Sequence, residues 1–104
     1  MIRKTCLMFV NPDCHDEYKR RHDQLWDSMS RLLSSHGVSN YSIHLFSEQN
    51  LLFSYAEIEN EEQWAAIADT EICKEWWAYM KDIMQSNADN SPVSRDLKEV
   101  FYLK

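Results

Sequence analysis

Glycine occurs once in 104 residues, and that scarcity is the first constraint on function. Phosphate-cradling P-loops and the G-x-G-x-x-G turn of dinucleotide-binding folds need several closely spaced glycines, so both motifs are excluded and cofactor-dependent classes lose most of their support. No G-x-S-x-G nucleophile elbow and no H-E-x-x-H zinc helix is present. Basic residues are outnumbered, 11 against 17 acidic, and the net charge of −6 has the wrong sign for a nucleic-acid backbone or an anionic bilayer. Apolar runs such as Cys6 to Val10 and Trp64 to Ala68 stop after five residues. A membrane-spanning helix needs about 20 and the core of a secretory leader about 7–15, so neither a membrane nor an export signal is expected. Cys6, Cys14 and Cys73 are odd in number and form no C-x-x-C pair, which argues against a disulfide framework or a zinc site and for a reducing cytoplasm.

What remains is a globular composition, 44% hydrophobic and 27% charged, in a chain long enough for one core and too short for two. A single domain over 1–104 follows. Aromatic content is high, with four Trp, five Tyr and four Phe. That exceeds what a small core needs and points to rings lining a ligand site.

Residues 3–10 read as a first, central strand, with Thr5, Leu7 and Phe9 on one face and Cys6, Met8 and Val10 on the other. Asn11-Pro12-Asp13 supplies a cap, a first-turn proline and acidic residues, and Gly37 follows His36 where a left-handed terminus is wanted. The spacing therefore predicts one helix of about 24 residues, roughly 36 Å long. Its inward stripe runs His15, Tyr18, His22, Leu25, Met29, Leu32 and His36. The stripe is aliphatic at one end and polar at the other, which suggests a cavity. Tyr41 to Phe46 and Leu51 to Ile58 alternate as a hairpin. Asn60 with Gln63 caps a short helix, Asp69 and Thr70 start another, Gln85 to Ser94 forms a loop, and Leu97 to Leu103 is expected as a last strand.

The order β-α-β-β-α-β is the ferredoxin-like α+β pattern, an antiparallel sheet with helices on one face. Apolar residues on both sides of the strands predict a two-fold homodimer that buries the other face, giving a dimeric α/β barrel.

His15 and His22 lie seven apart rather than at the i, i+4 spacing of helical metal ligands, so no metal is expected. His22, one turn from Tyr18 and one from Trp26, is either a satisfied core group or an imidazole exchanging protons near neutral pH. His15 and His36 read as capping or surface residues, and Arg20 and Arg21 as solvated. Trp76 and Trp77 point about 100° apart, so one stripe cannot bury both. One serves the core or a dimer contact, or faces a pocket, where indole suits the apolar side of a sugar.

Several stretches carry a more specific likeness: Met1-Ile2-Arg3-Lys4, Asn11-Pro12-Asp13 to Arg20-Arg21-His22, Ser35-His36-Gly37 with Asn40-Tyr41, Asn50-Leu51-Leu52-Phe53, Trp76-Trp77 with Tyr79-Met80, Asp89-Asn90-Ser91-Pro92-Val93-Ser94 and Glu99-Val100-Phe101-Tyr102-Leu103. In order and spacing the chain resembles the L-rhamnose mutarotases over essentially its whole length. The resemblance implies a cytoplasmic, cofactor-free isomerase of rhamnose metabolism, a ferredoxin-like homodimer that interconverts the α and β anomers of L-rhamnose. It implies His22 as proton donor and Tyr18, Tyr41, Trp76 and Trp77 as sugar-binding residues. A pyranose opens when its ring oxygen gains a proton as the anomeric hydroxyl loses one, and protonated His22 is expected to deliver that proton. Many relatives carry proline after the tryptophan matching Trp26; Asp27 stands here, which predicts a straighter helix. Two other readings of the same fold are a cofactor-independent monooxygenase and a sugar-sensing module without turnover.

Overall fold

The alternating residues near the N-terminus need partners on both sides, and a central strand supplies them. In the computed structural model, which describes residues 1–104, β1 (Ile2–Phe9) pairs antiparallel with β3 (Leu51–Ile58) on one side and with the two-residue β4 (Arg95–Asp96) on the other. β2 (Val38–Phe46) pairs with β3 as the predicted hairpin, through a single 3₁₀ turn at Ser47–Gln49. The four strands lie in the order β2-β3-β1-β4. This is the ferredoxin-like arrangement, with each crossover built of two helices: α1 (His15–Asp23) and α2 (Asp27–Ser35) after β1, α3 (Glu61–Ile67) and α4 (Glu71–Met80) after β3.

One sheet face carries the core. Met8, Val10, Leu52, Ala56 and Ile58 pack against Met29, Leu32, Ile67, Cys73, Trp76 and Met80, all buried. The opposite face presents Leu7, Phe9, Leu51, Phe53 and Phe46, of which Phe53 and Phe46 stay 39% and 42% exposed.

Local chemistry sets the helix ends. The Asn60 side chain accepts from the Gln63 N–H at 2.8 Å, and the Thr70 hydroxyl accepts from the Cys73 N–H at 3.3 Å, so the caps predicted for the second crossover are present. Gly37 adopts φ +76°, and a Cβ there would meet the Glu59 side chain at 2.9 Å, so both conformation and space require glycine.

Three expectations are corrected. The 24-residue helix is two helices: α1 closes through N–H bonds from Gln24 to the Arg20 carbonyl and from Leu25 to the His22 carbonyl, and Trp26 is extended at φ −57°, ψ 136°. The break turns the Trp26 indole onto Trp76, at 5.0 Å edge to face, so Asp27 in place of proline does not straighten the helix. Asn11 does not cap α1. Asn11 to Cys14 form a turn closed by a 3.0 Å bond, and the Asn11 amide donates to the Asp82 carbonyl. The last strand is two residues, not seven. After Leu97 bonds Thr5, the chain leaves the sheet with Glu99 gripped by Arg3 at 2.7 and 2.9 Å and Tyr102 lying on the Arg3 guanidinium.

Candidate active site

The core-facing sheet surface and the helices above it do not meet everywhere. Cys6, Met8 and Leu52 form the floor of the gap, and the Cys6 thiol lies 2.8 Å from the Ser54 hydroxyl of the neighbouring strand. Between floor and helices opens a cleft of about 1440 Å³, walled by α1, α4 and β2. All five sequence-predicted site residues, Tyr18, His22, Tyr41, Trp76 and Trp77, line it.

α1 contributes Tyr18 and His22 one turn apart, and their rings stack with centroids 4.3 Å apart. Trp76 from α4 meets His22 edge to face at 5.4 Å and is itself 6% exposed, so it belongs to core and cleft together. Trp77 points elsewhere and is half-buried in the cleft wall. Tyr41 comes from β2 on the facing wall, 6.3 Å from Trp64. Arg21, expected in solvent, is instead 10% exposed and ties α1 to the end of α4: it bonds Glu17 at 2.7 Å, Asp82 at 2.8 Å and the Tyr79 carbonyl at 2.7 Å. That clamp holds the His22 face of α1 against Trp76 and Tyr79.

Electrostatics separate the titratable groups. The His22 Nδ1–H donates to the Tyr18 carbonyl at 3.0 Å, which fixes the tautomer and leaves Nε2 to the cleft. Burial pushes the imidazole below its ordinary value of 6.5, with the carbonyl bond opposing. Burial pushes the Tyr18 phenol up, with the nearby Tyr41 phenol adding to it. The Tyr41 phenol is pushed up to about 12, again by burial, while the residue as a whole lines the cleft and stays 41% exposed. Both phenols are therefore neutral near pH 7, able to donate or accept hydrogen bonds but not to act as bases. Tyr18 Oη, His22 Nε2 and the indole N–H of Trp76 have no protein partner, yet no side-chain polar atom is sealed from solvent without one. Those free atoms share one cleft.

Sequence reasoning left out two residues of the cleft wall, Trp64 and His15. Trp64 figures in the sequence only as part of an apolar run and His15 as a capping or surface residue; His15 lines the cleft and bonds Asn50 at 2.8 Å. The signal for His15 was available, since it heads the same stripe as Tyr18 and His22.

A ferredoxin-like α+β domain whose aromatic cleft holds imidazole, phenol and indole groups without protein partners defines a class: a small domain equipped to hold a polar ligand. Comparison with known proteins narrows it. Residues 3–103 match the family model for L-rhamnose mutarotase. An L-rhamnose mutarotase from Tolumonas auensis is 63% identical over 103 residues, covering 99% of both chains. The solved L-rhamnose mutarotase from Formosa agariphila superposes with a TM-score of 0.92 at 44% identity over the full length of both. The chain belongs to the L-rhamnose mutarotase family. A putative antibiotic biosynthesis monooxygenase from Nitrosomonas europaea also superposes, at TM-score 0.65 and 13% identity over 97% of this chain and all of that one, a likeness that extends to the fold alone.

Proposed function

We propose that this protein interconverts the α and β anomers of L-rhamnose and that His22 moves the proton. One observation carries the assignment of roles: His22 Nε2, Tyr18 Oη and the Trp76 indole N–H are unpartnered polar atoms opening on the same cleft. Such atoms are what a hydroxylated ring needs, and their cost without a ligand is met by access to water.

The chemistry follows from the tautomer. With Nδ1 committed to the Tyr18 carbonyl, Nε2 of the resting neutral ring carries a lone pair. It accepts the proton of the anomeric hydroxyl, the C1–O5 bond breaks as C1=O1 forms, and the imidazolium returns the proton to O5. O1 and O5 share C1, so one nitrogen reaches both in turn. His22 is thus the proton donor to the ring oxygen, loaded by the substrate rather than standing protonated. A depressed pKa suits this role, because the imidazolium formed is a stronger acid than one in water. The aldehyde then rotates about C1–C2, and reversal of the same transfers closes the ring on the other face. Tyr18 and Tyr41, held neutral, orient hydroxyls, and the Trp76 and Trp77 rings keep water from the less polar side of the sugar.

The test is saturation-transfer NMR on L-rhamnose at anomeric equilibrium, which needs no coupled enzyme. His22→Ala should slow exchange by about 10²–10⁴-fold with the circular dichroism spectrum unchanged. A variant exchanging anomers at the wild-type rate would remove His22 from the mechanism.

The reading extends to the protein's setting. Three unpaired thiols suit a reducing cytoplasm. The net charge of −6 disfavours a nucleic-acid or anionic-membrane partner, and no helix is long and apolar enough to cross a membrane. The open sheet face is best covered by a second copy of the chain, in a two-fold homodimer.

A further inference from the structure

We infer that His15, held by Asn50, is a second sugar-contacting imidazole that reads a ring hydroxyl remote from the anomeric carbon; the inference rests on the mutarotase reading. His15 sits in the first turn of α1, half-buried, and lines the same cleft as His22. Its Nε2 meets the Asn50 side-chain oxygen at 2.8 Å. An amide oxygen only accepts, so Nε2 carries the hydrogen and, in the neutral ring, Nδ1 carries the lone pair. Nδ1 has no protein partner and is not sealed from solvent. The two imidazoles are complementary: His22 is tied by Nδ1 and free at Nε2, His15 tied by Nε2 and free at Nδ1.

Asn50 is itself rigidly placed. It ends the 3₁₀ turn in the left-handed conformation, φ 57°, which asparagine tolerates better than most residues, and its carbonyl accepts from the Val10 N–H at 3.1 Å. Two backbone elements therefore aim one amide at one ring, which is more than a surface histidine requires.

Spacing supplies the ligand's size. A seven-residue step along α1 sets the two histidine backbones about 10.5 Å apart along the helix axis. A pyranose about 5 Å across, with a hydrogen bond of about 2.8 Å at either end, fits that interval when its anomeric end is at His22. The far end then brings a hydroxyl on C2, C3 or C4 to His15 Nδ1, whose lone pair accepts its proton.

The experiment compares wild type, His15→Phe and Asn50→Ala by saturation-transfer NMR, using L-rhamnose and its 2-, 3- and 4-deoxy analogues. His15→Phe keeps the ring's bulk and loses both nitrogens. It should raise KM for L-rhamnose about tenfold, the worth of one hydrogen bond, with kcat little changed. One analogue should be disfavoured by wild type and lose that penalty in His15→Phe, while the other two keep theirs. Asn50→Ala, which leaves the imidazole but frees it to rotate, should raise KM by a smaller factor. An unchanged KM in His15→Phe, or equal deoxy penalties in both proteins, would overturn the inference. Should His15→Phe fail to fold, a wild-type KM in Asn50→Ala would overturn it equally. Failure of wild type itself to accelerate exchange would instead remove the mutarotase reading beneath it.

Discussion

An imidazole stacked on a phenol and edged by an indole holds its charge less readily than one in water, and the consequence for His22 can be signed. The folded-state pKa lies below 6.5 because burial outweighs the Tyr18 carbonyl bond. Between that value and 6.5 the unfolded chain binds the extra proton, so His22 makes stability fall as pH falls through this window and adds no pH dependence above it. Activity should follow the same group. If the cycle begins with neutral Nε2, kcat/KM is flat near neutrality and drops on an acid limb whose midpoint lies below 6.5. A kcat/KM that keeps rising as pH is lowered through 6 would mean that the standing imidazolium is the active form. The two phenols cannot supply the limb, because burial moves both upward, away from this range.

The break between α1 and α2 shows what was legible in the chain and what was not. Hairpin, the Asn60 and Thr70 caps and the Gly37 terminus each rest on one or two residues whose chemistry is local, and these were readable, whereas the Asn11 cap was not. The grouping of Tyr18 and His22 in one cleft was readable too, since they lie one turn apart on a helix. The break was masked because the inward stripe continues through Leu25 and Met29, so periodicity alone sees no interruption. The contrary signal was electrostatic: Arg20, Arg21 and His22 in one last turn, then Asp27 in a next first turn, is the charge pattern of one helix ending and another starting. Trp64, Tyr41 and the His15–Asn50 bond were not legible as a set, because only the sheet brings these elements together. The observed geometry also makes a prediction. Trp26 already has the extended conformation that precedes proline, and Asp27 is the first helical residue, whose N–H the helix does not use. Asp27→Pro should therefore keep the structure and stabilise it by about 0.4–1 kcal/mol through the unfolded state, read as a higher melting midpoint. A lower midpoint would mean that the carboxylate at the α2 N-terminus outweighs the entropy gained.

A single chain leaves two apolar surfaces without cover, and their coincidence is the argument for a second copy. The sheet face away from the helices shows Phe46 and Phe53, and the tail beyond Leu97 shows Val100 at 89%, Phe101 at 77% and Leu103 at 79% exposure. Arg3 anchors that tail through Glu99 and Tyr102, so it leaves the sheet in a set direction rather than dangling from β4. Apolar side chains projecting from an anchored strand end are costly in water and stabilising against another apolar surface, which a two-fold axis supplies from the same patch. Light scattering at micromolar concentration should therefore give twice the 12.4 kDa chain mass. Phe53→Glu places a charge on each half of a self-complementary face and should return the mass to one chain. Tyr18, His22, Tyr41, Trp76 and Trp77 all line the cleft of one chain, so a folded Phe53→Glu monomer should still exchange anomers. Wild type running at 12.4 kDa would exclude the dimer, whereas a folded but inactive monomer would show that the cleft needs its partner's support.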